Sequence, residues 1–111
     1  MITPTINGVK TYPDGREICD MKTAEGRREY KRRTLEMAER QKWRDPWDGQ
    51  FMSEEHVTFD HEQSRGGGKR DDRILKPDGT WQNAAMGIFN NILKGSKRYK
   101  WIEGTYQEVS R

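Results

Sequence analysis

The stretch from Asp60 to Lys94 constrains this chain most. A short apolar run, Val57-Thr58-Phe59, delivers Asp60 and His61 into a loop, Gln63 to Asp72, in which Gly66, Gly67 and Gly68 stand among Arg65, Lys69 and Arg70. Glycines let backbone N–H groups approach an anion and let a loop fold tightly, and the interleaved cations favour cradling a phosphate. The chain then returns through Asn83-Ala84-Ala85 to Asn90-Asn91-Ile92-Leu93-Lys94 and Gly95. Strand, basic loop and helix in this order can gather a hard oxygen ligand, an imidazole and a second metal ligand around one phosphate.

Local patterns fill in the rest. Val9 to Tyr12 and Arg16 to Cys19 flank Pro13-Asp14-Gly15, which predicts a hairpin over residues 1–20 with a structural or docking role. From about Thr23 to Lys42, Tyr30, Thr34, Met37, Ala38 and Gln41 recur at spacings of three and four, giving a narrow stripe on a charged helix. Arg73-Ile74-Leu75 and Thr80-Trp81-Gln82 flank Lys76-Pro77-Asp78-Gly79, which predicts a second strand element. Asn83 reads as the N-cap of a helix over Ala84 to Lys94 that Gly95 stops, with Met86, Phe89 and Leu93 packing on the strands. Asn90 and Asn91 point about 100° apart, so only one can face His61, and the spacing to Lys94 favours Asn91. His56 reads as a surface or packing histidine, and Asp71 and Asp72 as ties for the loop arginines Arg65 and Arg70 in preference to members of a metal site.

One domain is all that 111 residues support, and with 31% hydrophobic against 35% charged residues its core must be thin. The net charge of +3 leans mildly toward polyanions. More telling are the clusters: Arg27, Arg28, Lys31, Arg32 and Arg33, then Arg65, Lys69 and Arg70, then Lys94, Lys97, Arg98 and Lys100. The first suits a solvated helix face as well as a phosphate track; the other two flank the Asp-His stretch. Ser96 to Trp101 alternates cations with aromatics, a pattern that suits nucleic acid or a short terminal strand. A single cysteine, Cys19, excludes an internal disulfide and a cysteine zinc knuckle. No apolar run reaches membrane-spanning length, and Met1 to Lys10 lack a basic start followed by an apolar run. A cytoplasmic protein with no membrane partner is the expectation.

Asp-His at a strand end, Ser64-Arg65-Gly66-Gly67 in the loop, Asn83 about twenty residues on, and Asn91-x-x-Lys94-Gly95-Ser96 in the closing helix resemble the HNH endonucleases over roughly residues 40 to 98. The resemblance implies an α+β fold with a small ββα-metal (His-Me finger) core, here carrying an N-terminal hairpin (residues 1–22) and a long basic helix within a nuclease domain (23–101), followed by a tail (102–111). It implies Asp60 and Asn91 as metal ligands, His61 as general base and Asn83 as the brace of the loop carrying the histidine. With Asn91 in the third place the resemblance implies an HNN variant. Relatives often carry a cysteine zinc knuckle at the positions of Asp45, Asp48, Gly87 and Asn90; two carboxylates, a glycine and an amide form a poor tetrahedral set, so no structural zinc is expected. Trp43 and Trp47 would fill the space, with Asp45 and Asp48 hydrogen-bonding the turn or holding a hard cation.

The chemistry expected is hydrolysis of a DNA phosphodiester, duplex DNA being the implied partner and a bacterial cytoplasm, with a bacteriophage-type or mobile-element nuclease, the implied setting. His61 would take a proton from water, and one divalent ion, Mg²⁺ or Mn²⁺, would sit on Asp60 and Asn91. Arg65, Lys69, Arg70, Lys94, Lys97 and Arg98 would contact the nucleic acid backbone. Two alternatives stand beside this: a non-catalytic nucleic-acid-binding protein on a degenerate HNH scaffold, and a small interaction module that docks through its hairpins.

Overall fold

The computed structural model describes residues 5–61, 70–94, 99–102 and 105–108. They form a small α+β protein with three antiparallel sheets and two helices. β1 (Thr5–Ile6), β2 (Val9–Thr11) and β3 (Glu17–Cys19) make the first sheet, with Val9 opposite Cys19. Asn7 and Gly8, both at positive φ, turn β1 into β2, the dihedrals that a tight hairpin requires. Pro13-Asp14-Gly15 turns β2 into β3, as its sequence predicts.

α1 (Ala24–Arg40) begins at Thr23, whose hydroxyl accepts from the N–H of Gly26. Its buried stripe of Thr34, Met37 and Ala38, continued by Gln41, is the one the spacing predicts. Gly26 lies so close to Asp20 that a methyl group there would run into the Asp20 carbonyl. On the opposite side Arg32 pairs with Glu29 and Glu36.

β4 (Val57–His61) pairs with β5 (Asn83–Gly87) so that His61 faces Asn83 and Asp60 faces Ala84. α2 (Ile88–Lys94) follows β5 directly. Val57, Phe59 and Ala85 join Met37, Ala38 and Met52 in the core under α1, with Tyr30 stacked on Phe59 at 4.8 Å. Thr58 and Asp60 leave the other side of the strand, toward α2, as the pleat requires. Gln41, just beyond α1, exchanges two hydrogen bonds with the backbone of Ala85, at 2.8 and 2.9 Å. The side chain thereby acts as one more strand on the outer edge of β5.

Several sequence expectations are corrected here. Residues 83–87 are strand where a helix was expected, and they, not residues 73–82, supply the partner of β4. Leu75 and Trp81 form only an isolated bridge around the Pro77-Asp78-Gly79 turn. Asn-Ala-Ala-Met carries good helix formers, but pairing with β4 and burial of residues 83–86 override propensity. With the helix starting at Ile88, Phe89 and Leu93 turn outward, 74% and 67% exposed, while Met86 is buried in the strand. Within the stretch read as a tail, β7 (Thr105–Glu108) pairs with β6 (Tyr99–Ile102).

Candidate functional site

His61 ends β4 with its ring toward α1, 4.6 Å from the Phe59 ring and 6.3 Å from that of Tyr30. Its Nε2 lies 2.7 Å from Oδ1 of Asp72, a side chain with no exposed surface. Asp72 is held from three directions. Arg70 donates to both carboxylate oxygens, the Cys19 N–H to Oδ2 at 2.9 Å, and Arg33 to the Asp72 carbonyl. Burial works to raise the Asp72 pKa, but the hydrogen bonds from His61, Arg70 and the Cys19 N–H outweigh it and hold the carboxyl at about 2.

Asn83, directly across the ladder from His61, donates through Nδ2 to the carbonyls of Asp71 and Arg73 at 2.7 and 2.6 Å. The two carbonyls flank Asp72, so Asn83 fixes the segment whose carboxylate holds His61. The tie of Asp72 to Arg70 is as expected, whereas Asp71 holds Arg73 outside the loop, both at 2.7 Å. The sequence did not reveal that Asp72 also reaches the histidine.

Asp60 points the other way. Its Oδ1 is 2.9 Å from Nζ of Lys94, and the two side chains are 2% and 3% exposed. Asn91 sits on this same α2 face, where its Nδ2 donates to Thr58 Oγ1 at 2.9 Å. Asn91 therefore faces the Asp60 side of the strand rather than His61, a correction that follows from the alternation of side chains along β4. Asp60 and His61, adjacent in sequence, leave the strand on opposite faces.

Two cations expected to contact nucleic acid are held by carboxylates of the protein itself. Lys94 is buried against Asp60, and Arg70 is bound to Asp72, 5.9 Å over the Tyr30 ring. Arg65, Lys69, Lys97 and Arg98 lie outside the described residues. His56 is exposed and turns its Nδ1 to Ser53 Oγ at 2.8 Å.

Asp45, Asp48, Gly87 and Asn90 converge although 42 residues separate the pairs. Asn90 Nδ2 donates to Asp48 Oδ2 at 2.9 Å and to Asp45 Oδ2 at 3.0 Å, and the Gly87 N–H donates to Asp45 Oδ2 at 2.9 Å. The remaining oxygens accept from the backbone of Trp47 and Gln50. An amide shared between two carboxylates thus clasps the turn before β4 to the start of α2.

No family model, curated protein or solved structure matches the chain. Among the described residues, no group of three His, Cys, Asp or Glu side chains is placed to hold a metal ion. None of the described helices is long and apolar enough to cross a membrane.

Proposed function

We propose that this chain is a metal-dependent endonuclease of the HNH type that hydrolyses DNA phosphodiester bonds, with His61 as general base. The observation that carries the reading is the relay from Asn83 through the Asp71 and Arg73 carbonyls to Asp72 and on to His61. It is the kind of brace that the resemblance assigns to Asn83, and it gives an imidazole the fixed orientation that proton transfer needs. Convergence of Asp45, Asp48, Gly87 and Asn90 supports the same scaffold, since these positions coincide with a zinc knuckle in the family it resembles.

The donor chemistry on the α2 face suits a hard divalent ion. Asp60 is a buried anion that already requires a positive partner, and Asn91 stands beside Thr58, two residues before it on the same face. Asp60 and the amide oxygen of Asn91 would hold Mg²⁺ or Mn²⁺, which supplies positive charge against the phosphate and the departing oxygen. Because Asp60 and His61 face apart, a phosphate that engages both must lie across the end of β4.

The buried Lys94–Asp60 pair favours a second reading. An ammonium filling the counter-ion place suits a non-catalytic nucleic-acid-binding protein that kept the scaffold. Supercoiled plasmid incubated with Mg²⁺, Mn²⁺ or EDTA separates the two. Nicking or cutting that EDTA stops and His61→Ala abolishes, with DNA binding retained, upholds the endonuclease. Salt-sensitive binding without cleavage under any cation upholds the second reading.

A further inference from the structure

We infer that Asp72 is the positioning residue of His61: it holds the ring as the Nε2–H tautomer and makes Nδ1 the nitrogen that accepts the proton. This rests on His61 being the base proposed above. A carboxylate kept ionised offers only acceptor oxygens, so at 2.7 Å the shared hydrogen belongs to Nε2, and the lone pair of the neutral ring lies on Nδ1.

The environment of Asp72 is built for one geometry. Arg70 grips both oxygens, the Cys19 N–H fixes Oδ2, the Asp72 N–H donates to the Glu17 carbonyl at 2.7 Å, and Asn83 pins the carbonyls on either side. Phe59 and Tyr30 limit tilting of the imidazole. Partners of this kind orient a reacting group without touching the substrate. In the step served, water gives a proton to Nδ1, its oxygen bonds to phosphorus, the bond to the 3′ oxygen breaks, and solvent protonates the leaving oxygen.

The N-terminal hairpin thereby becomes part of the site. Its last strand supplies the Cys19 N–H and the Glu17 carbonyl that seat Asp72, although nothing in its sequence carries chemistry.

Long-range ¹H–¹⁵N correlation of the imidazoles at a pH where the ring is neutral tests the tautomer in the wild-type chain, with His56→Gln assigning the signals of the two histidines. Nε2–H is the expected form of His61. Asp72→Asn should shift the population toward Nδ1–H and lower kcat about 100-fold with KM for plasmid unchanged, a loss of the size a well-placed base supplies. Nδ1–H in an active wild-type chain overturns the assignment even if Asp72→Asn fails to fold, and so does a folded Asp72→Asn with wild-type kcat. A wild-type chain that never cuts overturns the base reading, and with it the positioning role, whatever the tautomer.

Discussion

Lys94 and Asp60 face each other at 2.9 Å with almost no access to solvent. Both charges have left water, so their pairing offsets part of the cost of burying them. Lys94→Met removes the buried cation 2.9 Å from the Asp60 carboxylate and should cost up to about 3–5 kcal/mol in chemical denaturation, the range for breaking one side of a buried pair. Pairing it with Asp60→Asn should recover much of that loss, and a double-mutant cycle reads the coupling directly.

Asn83→Ala removes the donor to the Asp71 and Arg73 carbonyls. About 1–3 kcal/mol of stability should be lost in urea titration, the usual penalty for orphaned buried acceptors. Under the endonuclease reading plasmid cleavage should fall as well. Cleavage at the wild-type rate in a folded Asn83→Ala would remove the brace from the mechanism.

Acid should loosen the seat of His61. Asp72, held at about 2 against an ordinary 3.8, binds a proton more readily unfolded than folded, so its contribution is complete above about pH 4 and fades as pH falls through 2. Glu29 acts in the same direction, since hydrogen bonds from Arg32 and Arg33 bring it from 4.5 to about 2 against the opposing effect of burial. Denaturation midpoints measured between pH 7 and pH 2 should drop mainly within that window. A smaller drop is expected for Asp72→Asn.

The clasp at Asn90 is open to a charge test. Asn90→Asp would set a third carboxylate against Asp45 and Asp48, where the amide now donates to both. Thermal melts at neutral pH should show a larger loss for Asn90→Asp than for Asn90→Ala. Similar melting temperatures would mean that the amide carries little of the contact.

Much of this architecture was legible in the chain itself. The stripe of α1 and the Pro13-Asp14-Gly15 hairpin have local causes, periodicity and turn geometry, and both came out as their residues predict. Asp60 and His61 at a strand end and the aspartate tie of Arg70 were equally plain. β5 was not, because Asn83 to Gly87 is strand only through its partner β4 and the clamp of Gln41, neither of which is close in sequence. That error displaced α2 and sent Phe89 and Leu93 to the wrong face. The contact between His61 and Asp72 was hidden for a related reason: an arginine two residues from an aspartate explains it locally, and only the folded chain reveals that the same carboxylate serves an imidazole.

Cys19 carries the chain's single thiol, 1% exposed, and burial pushes it up to about 11. Its N–H is one of the hands on Asp72. A thiol so protected reacts with an alkylating reagent only when β3 lifts away. The labelling rate of that one atom is thus a clock for how often the support beneath His61 comes undone, readable without any substrate.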